Sequence, residues 1–93
     1  MEWLYCRGIP IEAQYLLRKG REMAKLGNDT SALNYYRQAL IIAPTYTKAL
    51  YEMGDCYAHL GMFDAANAMY DRAVHTNPAE KEAARERKRS LLQ

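Results

Sequence analysis

Apolar side chains return along this chain at three- and four-residue steps, as in Leu50, Met53, Tyr57 and Leu60. That spacing gathers them into one stripe on an α-helix, with polar residues on the other face. The stripes are broken where proline stands, as in "HTNPAEKEAA" from His75 to Ala84, because proline has no amide proton to give a helix interior. Pro10, Pro44 and Pro78 are separated by two equal intervals of 34 residues. At the same interval Leu16 falls on Leu50, Gly20 on Gly54, Leu26 on Leu60, Gly27 on Gly61, Ala32 on Ala66, Tyr36 on Tyr70 and Ala39 on Ala73. The pattern is an internal repeat, and it predicts two helices per unit.

The first helix of each unit is expected over 12–26 and 46–60, where Gly27 and Gly61 suit a left-handed residue after the C-terminus. The second begins at Asn28-Asp29-Thr30 and near Asp64, whose side-chain oxygens can accept first-turn amides, and ends before Pro44 or Pro78. A final helix is expected over 79–92, opened by the turn at Asn77-Pro78, with Glu80 near its positive end. Gly20, Gly54 and the alanines Ala32, Ala39, Ala66 and Ala73 allow antiparallel helices to approach closely. Tyr36, Tyr57 and Tyr70 are then expected to fill the gaps between neighbouring hairpins. Cys56, beside Gly54, reads as a small packing residue.

The run Leu50-x-x-Met53-Gly54-x-x-Tyr57, followed by Ala66-x-x-x-Tyr70, Ala73 and Pro78, resembles the tetratricopeptide repeat, a helix-turn-helix unit of this length. Leu16, Gly20, Ala32, Tyr36, Ala39 and Pro44 resemble a second copy, which departs from the family pattern at Lys19 and Met23. The resemblance implies an all-α fold of antiparallel helix-turn-helix repeats stacked as a short right-handed α-solenoid of about five helices. One domain then spans 1–93, divided into an N-terminal cap or remnant (1–11), two repeats (12–44 and 45–78) and a C-terminal capping helix (79–93). In the cap reading Trp3, Leu4, Tyr5 and Ile9 cover the first hairpin. At the other end Ala83, Ala84, Leu91 and the stem of Arg87 cover the last one.

Composition narrows the function classes. With 93 residues the chain holds no second domain, and a net charge of +2 is too small to imply a nucleic-acid partner. The C-terminal charges alternate in sign, Glu80, Glu82 and Glu86 among Lys81, Arg85, Arg87, Lys88 and Arg89, which reads as a solvated face. No apolar run is long enough to span a bilayer and the opening lacks the pattern of a secretory signal, so no membrane partner and a cytoplasmic location are expected. Cys6 and Cys56 are too few and too far apart for a disulfide framework or a thiolate metal site. No nucleophile with an evident base, no phosphate-binding glycine loop and no cofactor motif is present, so no enzyme activity and no cofactor are expected. His75 suits the negative end of its helix. Glu52, Asp55 and His59 share one helix face and could hold a divalent metal, but a solvated polar stripe has the same spacing.

What remains is recognition. In the tetratricopeptide family the first helices of successive units line a concave groove for an extended peptide or a helix. Carried over by register, the groove comprises Gln14, Leu17, Arg18, Arg21 and Lys25, then Lys48, Tyr51, Glu52, Asp55 and His59, then Glu82, Arg85, Glu86 and Arg89. Its floor is basic, then acidic, then mixed, with Leu17 and Tyr51 as apolar anchors. The family's clamp for a C-terminal carboxylate needs lysine, asparagine, asparagine, lysine and arginine at set places, which here hold Leu17, Arg21, Glu52, Glu82 and Glu86. A one-unit shift brings Lys48 into place but leaves Arg18 and Glu52 wrong, so the clamp is rejected in both frames. The expectation is a protein-protein interaction module, an adaptor binding a partner's segment. Two alternatives stand beside it: a repeat protein that assembles with its own copies, since two units are thin for a stable array, and a piece of a larger multi-domain protein.

Overall fold

The computed structural model describes residues 8–91, in which five α-helices follow one another: α1 (Ile11–Lys25), α2 (Asp29–Ile42), α3 (Thr47–His59), α4 (Phe63–Thr76) and α5 (Lys81–Leu91). The expectations placed on Trp3, Leu4, Tyr5 and Cys6, and on the side chains of Glu80 and Leu91, lie outside the described residues. Helices α1 and α2 pack as one hairpin and α3 and α4 as a second; α2 meets α3 between the hairpins, and α5 packs on α4 and α3. The fold is an all-α repeat stack.

Each hairpin turns on the same hydrogen-bond pair. After α1 the Gly27 amide donates to the Ala24 carbonyl at 3.0 Å and the Asn28 amide to that of Met23 at 2.9 Å; after α3 the Gly61 amide donates to Ala58 at 3.0 Å and that of Met62 to Tyr57 at 2.8 Å. Both glycines hold positive φ, 81° and 78°, which a Cβ would disfavour. At the start of α2 the Asn28 side chain accepts from the Ser31 amide at 3.3 Å. The start of α4 differs from expectation: the helix begins at Phe63, capped by Met62 without a side-chain bond. Asp64 lies inside the first turn and acts on the helix dipole rather than as the cap. The final helix also starts later than expected, because Pro78–Glu80 form a single 3-10 turn, pinned by Asn77 accepting from the Ala79 amide at 3.3 Å.

The tyrosines correct a packing expectation. Tyr36 and Tyr70 fill space inside their own hairpins, lying where a Cβ on Gly20 or Gly54 would be: an added Cβ would stand 2.4 Å from Cε1 of either ring. A glycine leaves a dent in its helix, and the flat ring across the hairpin settles into it. Only Tyr57 sits between hairpins, half-buried on α3, its Oη accepting from Arg37 Nη2 of α2 at 3.3 Å. Around these contacts lies one continuous core that includes Ala13, Leu33, Ala39, Ala49, Leu50, Met53 and Ala73. Ala84 of α5 is 2% exposed and extends this core to the last helix.

Glycine inside a helix costs about 1 kcal/mol relative to alanine, and a buried methyl adds about 0.8 kcal/mol of favourable transfer. Both terms favour alanine at position 54, yet the ring it would strike is 1% exposed and has nowhere to retreat. Gly54→Ala is therefore expected to destabilise by about 2 kcal/mol or more, read as a lower urea midpoint at unchanged slope. A midpoint equal to or above wild type would contradict the interlock.

Cys56 is 2% exposed, and burial, reinforced by the Asp29 carboxylate, pushes its thiol up to about 12. Burial likewise raises Tyr36 and Tyr70 well above the ordinary phenol range. A folded-state value above the unfolded one means stability is fully present below about pH 9 and is lost as pH rises towards 12. Urea midpoints are expected to fall through that window. Cys56→Ala should remove the part of the decline that begins near pH 9, leaving the tyrosine part above it.

Candidate functional site

The first helices stand side by side, α3 between α1 and α5, with α2 packed behind α1 and α4 behind α3. Between them lies a cavity of about 380 Å³ lined by Ala24 of α1, Glu52, Asp55, Cys56, Ala58 and His59 of α3, and Arg87 of α5, with Tyr36 and Tyr70 from the second helices. A neighbouring cavity of about 370 Å³ shares Ala24, Tyr36, Glu52 and His59 and adds Arg21 and Lys25. Small side chains at Ala24 and Ala58 leave the space open.

Charges on adjacent helices pair across this concavity. Arg21 donates to Glu52 Oε2 from Nε at 3.0 Å, joining α1 to α3. Arg87 Nη1 meets Asp55 Oδ2 at 2.5 Å, joining α5 to α3, and the same guanidinium lies 5.0 Å from the centre of the Tyr51 ring. Asp55 Oδ1 also accepts from the Tyr70 hydroxyl at 2.6 Å. His59 Nδ1 stands 3.6 Å from Asp29 Oδ1. The ion pairs are partly exposed and each adds on the order of 1 kcal/mol or less to stability.

The three side chains weighed as metal ligands are thus engaged separately: Glu52 by Arg21, Asp55 by Tyr70 and Arg87, and His59 beside Asp29. Among the described residues no group of three His, Cys, Asp or Glu side chains comes together for a metal ion.

The register-based groove is gathered only in part. Arg21, Lys25, Glu52, Asp55 and His59 line the concave cavities. Leu17 and Tyr51, expected as apolar anchors, are 3% and 5% exposed; Leu17 lies in the core and Tyr51 is held between Arg87 and Tyr70, so neither offers a surface. Gln14 donates to the Ile9 carbonyl at 3.0 Å. On α5, Glu82 pairs with Arg85 at 3.6 Å and Glu86 with Arg89 at 3.4 Å along the helix itself. Arg85 lines a separate cavity of about 400 Å³ between α4 and α5, with Val74, His75 and Lys88, the last paired with Asp71. Arg18 and Lys48 are exposed.

Sequence reasoning missed Arg87, Tyr36 and Tyr70 as cavity residues. Arg87 stands 34 residues after buried Met53, so its register points inward, and a cation there calls for a carboxylate within reach of its long stem. Asp55 is that carboxylate. Each tyrosine hydroxyl is expected from sequence to reach a partner or water, but sequence does not say which. Tyr70 ends on Asp55; the Tyr36 hydroxyl is buried without a hydrogen-bond partner among the described residues.

The two hydroxyls predict opposite responses. Tyr70→Phe removes a charge-assisted bond and should cost about 1–2 kcal/mol, whereas Tyr36→Phe removes an unsatisfied buried group and should be neutral or stabilising by about 1 kcal/mol. Urea denaturation of both variants checks the contrast, and equal losses would contradict the assignment.

Among the described residues, no helix is long and apolar enough to cross a membrane. No curated protein matches the chain significantly. A family model described as tetratricopeptide repeat matches residues 24–87, a span that runs from the end of α1 through all of α2, α3 and α4 into α5. Repeats of this kind are generally protein-protein interaction modules, and on that match, with the hairpin geometry above, the chain belongs to the tetratricopeptide repeat family.

Proposed function

We propose that the chain is a non-enzymatic adaptor which binds a segment of a partner protein in the concavity formed by α1, α3 and α5. The observation that carries this reading is the pair of contiguous cavities, about 380 and 370 Å³, between the first helices. Together they offer room for several side chains of an extended or helical segment. Their walls combine small apolar surface at Ala24 and Ala58 with charged groups at Arg21, Lys25, Glu52 and His59, a mixture that orients a ligand as well as holding it. The continuous apolar core behind α1 and α3 holds them in place, so little ordering cost falls on the protein when a ligand arrives.

Charge supports a preference within this reading. The groove's acids Glu52 and Asp55 have cations within the fold, while Arg18, Lys25 and Lys48 have no ion-pair partner among the described residues. The uncompensated charge of the first helices is positive. A cytoplasmic adaptor reading partner segments with some negative charge fits this balance, and association should weaken as salt rises.

A random decapeptide display selection on the full chain tests the site. Ala24 is half-buried on the cavity wall, so Ala24→Arg fills the space without removing any core side chain. Selected peptides should lose at least about tenfold in affinity for that variant while its far-ultraviolet circular dichroism and urea midpoint stay near wild type. Undiminished binding to Ala24→Arg would place the ligand elsewhere.

A further inference from the structure

One of the differences between the two repeats falls on the concave cavity. In the second, the Tyr70 hydroxyl donates to Asp55 Oδ1 at 2.6 Å and the Arg87 guanidinium holds Oδ2 at 2.5 Å, so a carboxylate is clasped between a phenol and an arginine. One repeat earlier Tyr36 takes the place of Tyr70, and Arg21 takes the place of Asp55. The first repeat therefore has a phenol and a guanidinium on the wall of one cavity but no acid of its own between them. Arg21 turns to Glu52, and Glu52 does not reach the Tyr36 hydroxyl, which is buried, with no hydrogen-bond partner among the described residues.

Resting on the groove reading above, we propose that the cavity beside Tyr36 is a subsite for one carboxylate side chain, aspartate or glutamate, of the bound protein segment. The incoming carboxylate accepts from the Tyr36 hydroxyl and pairs with Arg21, so that it is held by a phenol and a guanidinium as Asp55 is in the second repeat, although Arg21 stands in the register place of Asp55 and Met53 in that of Arg87. Glu52 is the group it displaces. That exchange is easy, because the Arg21–Glu52 pair is 45% and 26% exposed and such pairs part at little cost. The exchange also gains a bond: Arg21 keeps a carboxylate partner throughout, while the Tyr36 hydroxyl moves from none to a charge-assisted one. Lys25, on the same cavity wall and with no ion-pair partner among the described residues, adds a second positive charge. The subsite reads a side chain, so it differs from recognition of a chain end.

Peptides selected on the full chain as above, synthesised with amidated C-termini so that every carboxylate is a side chain, are the probes. Each Asp or Glu is changed in turn to Asn or Gln, and affinities are measured on wild type and on Tyr36→Phe. The expected result is one acidic position whose change weakens binding to wild type by about tenfold and has almost no effect on Tyr36→Phe, the coupling of a double-mutant cycle. Glu52→Gln should strengthen the same peptides by freeing Arg21. If Tyr36→Phe does not fold, Arg21→Gln on the exposed surface carries the same cycle. Peptides that bind in the groove, as shown by loss on Ala24→Arg, but whose acids act equally on wild type and both variants would overturn the subsite and leave the groove standing. Selected peptides indifferent to Ala24→Arg, or a selection that returns none, would bring down the groove and the subsite with it.

Discussion

The structure depends on a ring lying where a Cβ is missing. Gly20 receives Tyr36 and Gly54 receives Tyr70, each within one hairpin, and the two helices can come as close as they do only because one of them presents no side chain at that point. Helix propensity argues against glycine there. Tertiary packing overrules it, since the ring gains far more apolar burial in the dent than the helix loses in backbone entropy. The same contact aims each phenol along a fixed line, towards the space between the first helices.

From that aim follows the chemistry of the concave face. One phenol finds Asp55, which in turn draws Arg87 across from α5; the other finds no hydrogen-bond partner among the described residues. Ion pairs that contribute little to stability singly thus decide which charges of the concave face remain uncompensated. A family whose repeats generally mediate protein association meets here a concavity whose acids Glu52 and Asp55 are engaged from within and whose Lys25 has no ion-pair partner among the described residues. The function we infer is a property of that residue balance rather than of the fold, which hosts many ligands.

Register explains both the success and the failure of reading the site by repeat position. Arg21, Lys25, Glu52, Asp55 and His59 fall where the repeat places them, because α1 and α3 are backed by complete hairpins. On α5, Arg87 is the one described residue that lines the concave cavities, and Glu82 and Glu86 pair with neighbours along the helix. Leu17 and Tyr51 were expected to face a ligand, yet an apolar residue beside a core is drawn into it whenever the neighbouring helices can cover it, and here they can.

The amino-acid sequence by itself determined the helices, their turns and their pairing: proline and glycine act through their own backbone restrictions, and a stripe of period near 3.6 must bury its face whatever lies opposite. Helix ends were legible to within about a residue, apart from the 3-10 turn after Pro78, where proline allows either a turn or a helix start. Only the tertiary structure decided which partner each long side chain finds. Arg87 reaches Asp55 across 32 residues and Arg21 reaches Glu52 across 31, distances over which no local rule operates. Whether a tyrosine hydroxyl ends on a carboxylate or on nothing is settled by a few ångströms of packing between helices that only the folded chain brings together.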